Sequence, residues 1–229
     1  MSPRTSTKYF RHTIAQEYDG HVKSMIHHYE EMQSAILDPI FHSPRRKLKF
    51  LDLGMGTGNL SKLILERYSN SQVTGIEVSS DMMDIARRKL RKFGKRIQCV
   101  HSDFTQMAFP DCRYDVIASC MSLHHIESPA AKQRYYRQLY HSLRKGGILT
   151  FGEPIKGESR FLDRYYWGRM VLFIKQNYRH PQWILKHERE EDFPEKIADH
   201  MRWLTKTGFR DSHVVWRRWN YAVIAAYKK

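Results

Sequence analysis

The sequence predicts an α/β fold built on a parallel, doubly wound sheet, and three observations lead there. Strand-like apolar runs alternate with amphipathic helical runs from Leu48 to Phe151, an order that lays helices on the faces of a parallel sheet. A glycine-rich turn, Gly54-Met-Gly-Thr-Gly58, lies between the first such strand and the first such helix. An acid, Glu77, ends the next apolar run. An acid about 20 residues past the glycines is placed to accept hydrogen bonds from ribose hydroxyls.

Each element has its own justification. Residues 1–44 form an N-terminal helical segment in which Val22, Met25, Ile26, Tyr29 and Met32 share one face. Pro39, Pro44 and the basic triplet Arg45-Arg46-Lys47 mark a connector into the first strand, Lys47 to Leu53. Glycines at 54, 56 and 58 let the backbone turn sharply and approach a ligand with no Cβ in the way. In the run Asn59 to Tyr68, Leu60, Leu63, Ile64 and Tyr68 recur at the spacing of a helix lying on a sheet. Val73 to Val78 is the second strand, and Tyr114 onward and Leu143 to Phe151 supply the later ones. From Pro154 the pattern changes to two aromatic-rich helices, Phe161 to Tyr178 and Pro194 to Lys206, before two closing β runs, His213 to Trp219 and Tyr221 to Tyr227.

Composition agrees with one domain over residues 1–229. The chain is 229 residues long and 41% apolar, enough to supply a core. No apolar run reaches the roughly 18 residues of a membrane span. The N-terminus lacks the apolar stretch of a secretory signal, so a cytoplasmic location without membrane contact is expected. Cys99, Cys112 and Cys120 have no metal-site spacing, and neither HEXXH nor a spaced carboxylate cluster occurs, so no metal is expected. Net charge is +15. Seven of the ten residues Arg87 to Arg96 are Lys or Arg, a density that attracts polyanions through counterion release or simply forms a solvated helix face.

The pattern Asp52-Leu-Gly-Met-Gly-Thr-Gly58 departs from the dinucleotide fingerprint G-x-G-x-x-G. It resembles motif I of the class I S-adenosylmethionine (SAM) methyltransferases. Other segments are similar to that family in the same order: Glu77, His101-Ser-Asp-Phe104, Tyr114 to Glu127, and Leu143 to Phe151. The resemblance implies a Rossmann-like, mostly parallel seven-stranded sheet with an antiparallel C-terminal strand. It also implies a helical cap insertion over residues 154–206. SAM is the implied cofactor. Asp52, Gly54, Gly56 and Gly58 would hold its methionine end, with Tyr29 closing over it. Glu77 would meet the ribose, Asp103 the adenine amino group, and Phe104 the ring.

Trp203 to Phe209, Val214 to Val223 and Tyr18-Asp19 further resemble a subgroup containing tRNA uridine-5-oxyacetate (carboxy-SAM) methyltransferase-like proteins. In the carboxy-SAM enzyme an asparagine and an arginine hold the extra carboxylate. Cys120 and Trp203 align at those places, with Arg202 one residue away, so SAM and a methyl group are expected. The subgroup also implies a homodimer.

Methyl transfer needs alignment of nucleophile, methyl carbon and sulfur, and a base when the acceptor is a hydroxyl. His124 and His125 stand where such a base is expected, and Glu153, Tyr165 and Tyr166 are candidate substrate contacts. A small-molecule acceptor is the leading expectation. An RNA acceptor such as tRNA, or SAM binding without catalysis, are the alternatives.

Overall fold

In a computed structural model, residues 12–179, 181–190 and 192–229 are described. The elements run α1 (His12–Met25), α2 (Tyr29–Leu37), β1 (Lys49–Leu53), α3 (Asn59–Arg67), β2 (Gln72–Glu77), α4 (Ser80–Leu90), β3 (Ile97–His101) and β4 (Tyr114–Cys120). They continue with α5 (Pro129–Ser142), β5 (Leu143–Pro154), α6 (Arg160–Asn177), α7 (Pro181–Glu190), α8 (Ile197–Thr207), β6 (Arg210–Arg218) and β7 (Tyr221–Tyr227).

One seven-stranded sheet carries them, in the order β3-β2-β1-β4-β5-β7-β6. The pairs from β3 to β5 are parallel, and β7 runs antiparallel to both β5 and β6. The chain order reverses at β1, where β2 and β4 lie on either side. Ligands of open α/β sheets bind at such a switch point, beyond the carboxyl ends of the strands. The glycine turn leaves β1 at that end.

Two buried clusters cover the two faces of the sheet, as a doubly wound fold requires. Phe50, Val116 and Ile148 pack with Ile36 of α2, Ile64 of α3, Met83 of α4 and Ile174 of α6. Their strand neighbours Leu51, Ile117 and Leu149 point the other way, to Tyr136 of α5 and Leu204 of α8. Among the described residues no helix is long and apolar enough to cross a membrane.

Two expectations need correction. The N-terminal helical run is broken: His28 adopts a left-handed conformation at φ 58° between α1 and α2. The break lets α2 dock against the sheet, where Thr150 Oγ1 donates to the Ile36 carbonyl at 2.9 Å, while α1 reaches the glycine turn. The segment after Pro154 holds three helices rather than two. Pro181 opens α7 because a first-turn proline loses no helical hydrogen bond. Residues 194–196, read as helix from Pro194, are not helical, and α8 starts at Ile197. The backbone here bonds elsewhere: Phe193 N–H donates to the His124 carbonyl at 3.0 Å, and Lys156 N–H to the Glu195 carbonyl at 3.0 Å.

Candidate functional site

The glycine turn is shaped by contact on one side and openness on the other. Gly54 has φ 65°, and a Cβ there would stand 2.2 Å from Ser122 Oγ. Gly56 has φ 55° and would meet nothing within 4 Å, so its backbone faces space in which a ligand can approach. Gly58 caps α3 with its Cβ position against Leu90, 2.9 Å from Cδ1. It serves helix packing and does not line the cavity.

That cavity encloses about 820 Å³, part of it open to solvent, and is walled by Asp52, Gly54, Gly56, Glu77 and Phe104. Tyr29 and Gln33 of α2 and Tyr18 of α1 close its other side. Gln33 Nε2 donates to the Tyr29 hydroxyl at 2.9 Å, which fixes that ring at the wall. Asp19 fastens α1 over the turn: it accepts from Thr57 Oγ1 at 2.6 Å and Asn59 Nδ2 at 3.0 Å, and pairs with Lys89 at 2.5 Å. Lys89 thus departs from the reading of the Arg87–Arg96 cluster as a solvated helix face.

The two acids differ in what they leave available. Glu77 is 8% exposed. It accepts from the backbone N–H groups of Gly56 (2.9 Å), Val78 (3.0 Å) and Ser79 (2.8 Å), so it braces the turn while facing the cavity. Asp52 is 1% exposed, and Ser61 Oγ donates to its Oδ2 at 2.6 Å. Its Oδ1 is buried without a hydrogen-bond partner. An amino-acid ammonium group is the complement such an oxygen lacks. These residues therefore fit the methionine end and ribose of SAM.

Burial pushes the Asp52 carboxyl up to about 7, with the neighbouring Glu77 charge adding to it and Ser61 opposing. An acid whose folded pKa is raised stabilises most below its unfolded value. Between pH 3.8 and about 7 that contribution is lost, by about 4 kcal/mol at most. We expect Asp52→Asn to flatten the fall in ligand-free stability over this window, measured by urea unfolding at successive pH values. Equal slopes in parent and variant would contradict the assignment.

The loop after β4 is organised by Glu153 on the adjacent strand. Glu153 is 2% exposed. Its Oε1 accepts from the backbone of Ser122 (3.0 Å) and Leu123 (2.9 Å). Its Oε2 accepts from His124 N–H (3.1 Å) and bonds the ring Nδ1 at 2.5 Å. Burial raises its pKa, but the His124 charge and hydrogen bond together with the backbone donors outweigh that and hold it below the usual glutamate range. Glu153 walls neither cavity described here, and its bonds hold the loop that carries His124 and His125. His124 is 4% exposed, and His125 lines the cofactor cavity.

A second cavity of about 990 Å³, also partly open, lies between the end of β5 and α6 and includes Tyr166, Trp167, Arg164, Arg189 and Asp192. Asp192 was invisible to sequence reasoning, sitting in a charged run with no motif. Its Oδ1 lies 3.5 Å from His124 Nε2 and 3.3 Å from His125 Nδ1. Phe193 holds this segment in place, since Lys132 Nζ donates to its carbonyl and its own N–H bonds His124.

Other candidates fall elsewhere. Asp103 accepts from Thr105 N–H at 2.8 Å and Thr105 Oγ1 at 2.7 Å, capping the turn at Phe104–Gln106, and is absent from the cavity wall. Tyr165 is half exposed on α6 and walls neither cavity, whereas Tyr166 faces the second one. Cys120 lines the cofactor cavity, and burial drives its thiol pKa well up, which disfavours a nucleophilic thiolate. Trp203 is buried in the core of the opposite face, and Arg202 pairs with Asp199 in solvent. Neither lines the cofactor cavity.

Residues 50–147 match the family model described as a methyltransferase domain. Over its full length the chain is similar to the carboxy-S-adenosyl-L-methionine synthase of Nautilia profundicola, with 24% identity covering 96% of this chain and 94% of that protein. It is 30% identical to the demethylmenaquinone methyltransferase of Thermus thermophilus over 55% of this chain and 57% of that protein. In fold it is similar to the phosphoethanolamine N-methyltransferase 2 of Haemonchus contortus, solved with phosphomonomethylethanolamine and S-adenosylhomocysteine. That likeness has a TM-score of 0.71 and 15% identity, covering 100% of this chain and 61% of that one. Residues 50–147 of the chain thus match a methyltransferase domain, and the glycine turn, the Asp52 and Glu77 pair and this sheet order support SAM as its cofactor.

Proposed function

We propose that the chain transfers a methyl group from SAM to a nucleophilic atom of a small anionic acceptor held in the second cavity. One observation carries this reading: the walls of the two cavities meet where His125, from the first, approaches Asp192, from the second, to 3.3 Å. An acceptor there would face the cofactor across the junction. Its nucleophile forms the new bond to the methyl carbon as the carbon–sulfur bond breaks, and S-adenosylhomocysteine leaves with the electron pair. A hydroxyl acceptor gives its proton to the His125–Asp192 pair. Lys156, Arg164 and Arg189 outnumber Asp163 and Asp192 in the wall of the second cavity, which favours an anionic acceptor, with Tyr166 and Trp167 as flat apolar walls.

The full-length relative is named for making carboxy-SAM, which raises carboxy-SAM as an alternative ligand of the first cavity. Against it stands the first cavity's wall, which among the described residues includes no Lys or Arg beside Cys120. A buried carboxylate without a cation is costly. Mass spectrometry of ligand co-purified with the protein is expected to give SAM or S-adenosylhomocysteine, and carboxy-SAM as the main species would reverse this choice.

RNA as acceptor has one specific observation in its favour. Arg217 lies over the Tyr166 ring at 5.6 Å, and Arg169 over Trp219 at 4.5 Å, pairings that suit bases and phosphates. Labelled methyl from SAM, offered to a metabolite extract and to bulk tRNA, decides between the two. Label in the extract is expected. Label in tRNA, with affinity falling by roughly 0.7–0.9 log unit per log unit of salt for each phosphate contacted, would replace the small-molecule reading.

A further inference from the structure

We infer that His124, His125 and Asp192 form a binding site for one divalent transition-metal ion, zinc by ligand type, at the junction of the two cavities. One donor atom from each lies within 4.8 Å of the others. The two distances to Asp192 Oδ1, 3.5 Å from His124 Nε2 and 3.3 Å from His125 Nδ1, match the edge of a tetrahedron. Two ligands about 2.0–2.1 Å from one zinc ion stand roughly 3.3–3.5 Å apart.

The arrangement around those donors is that of a supported ligand set. Glu153 holds His124 through Nδ1 at 2.5 Å, which directs Nε2 toward Asp192. A ligating histidine almost always gives its other nitrogen to a carboxylate or carbonyl in this way, which fixes both tautomer and ring orientation. His124 and Asp192 have side chains only 4% and 3% exposed, so an ion there would be largely shielded from water. The Asp192 segment is pinned by the Phe193 to His124 backbone bond and by Lys132, and the histidine backbone by Glu153. The three donors are therefore preorganised from two separate stretches of chain.

Three protein ligands leave one or two coordination positions, which is the composition of a catalytic rather than a purely structural site. His125 is 28% exposed and belongs to the cofactor cavity, while Asp192 belongs to the acceptor cavity. The open position thus falls where the acceptor must present its nucleophile. A cation there would bind an oxygen-bearing acceptor and stabilise its deprotonated form. With the ion in place His125 is a ligand, and the acceptor proton is released to solvent on binding. This consequence rests on the methyl-transfer reading above. The binding site itself does not.

The test is titration of the chelator-treated full-length protein with cobalt(II), followed by visible spectroscopy, and with zinc(II), followed by native mass spectrometry. One ion per chain is expected, with the ligand-field bands of a four- or five-coordinate centre. Asp192→Asn and His125→Ala should each weaken binding by at least 10-fold with the melting temperature retained. His28→Ala should leave it unchanged; it removes one ring of the His27–His28 pair beside Glu31. Loss of neither stoichiometry nor affinity in Asp192→Asn, or no stoichiometric binding by the parent, overturns the site. Calorimetry with S-adenosylhomocysteine on the same samples separates the two readings. Absent cofactor binding would defeat the methyl-transfer proposal alone, whereas absent metal binding would defeat this one alone.

Discussion

Glu153→Ala is expected to produce the largest loss of stability, lowering the melting temperature by about 10 °C. The side chain satisfies three consecutive backbone N–H groups and the His124 ring at once, and it is only 2% exposed. Removing one partner of a buried charged pair costs about 3–5 kcal/mol, and about 2–4 °C accompany each kcal/mol in a domain of this size. The loop after β4 should loosen, and methyl transfer should fall further than stability accounts for, because His124 loses its orientation. Glu153→Gln, which keeps the shape and two acceptor positions, should restore most of the melting temperature and little of the activity. Calorimetric melting with single-turnover methyl transfer reads both. If glutamine restores activity as fully as stability, Glu153 is structural only.

Glu77→Ala should weaken SAM and S-adenosylhomocysteine by roughly 100-fold, equivalent to about 2.7 kcal/mol. Two losses combine. The ribose hydroxyls lose a charged acceptor, and charge-assisted hydrogen bonds exceed neutral ones, which are worth about 0.5–1.5 kcal/mol net. The N–H of Gly56 also loses the oxygen that holds the turn at 2.9 Å, so the cradle is no longer preorganised. Burial raises the Glu77 pKa, with the backbone donors opposing. Glu77→Gln should therefore cost affinity without comparable loss of ligand-free stability. Isothermal titration of each variant is the measurement, and a dissociation constant within threefold of the parent would remove Glu77 from the site.

Much of the frame was legible because it rests on local, periodic rules. The alternation of apolar runs, the glycine spacing after Asp52 and the acid ending β2 each follow from the needs of one short segment. The expectations that failed were ones where distant packing overrode local pattern. Residues Val22 to Met32 keep a helical period, but the chain breaks at His28 because α1 and α2 serve different surfaces. Pro194 reads as a helix start, yet α8 begins only at Ile197, because the backbone of Phe193 and Glu195 bonds His124 and Lys156 instead.

The sequence by itself determined the parallel sheet, the place of the glycine turn after its first strand, and the residues Asp52 and Glu77 that wall the cavity. Those depend on contacts between neighbours in the chain, where spacing stands in for geometry. The tertiary structure alone decided that Glu153 points inward to four donors, that Lys89 and Asp19 fasten α1 over the turn, and that Asp192 meets His124 and His125. Charged side chains carry no periodic signal of direction. Whether an acid is solvated or buried against histidine is set by which strands and loops converge on it, and that is fixed only when the whole sheet has closed around its core.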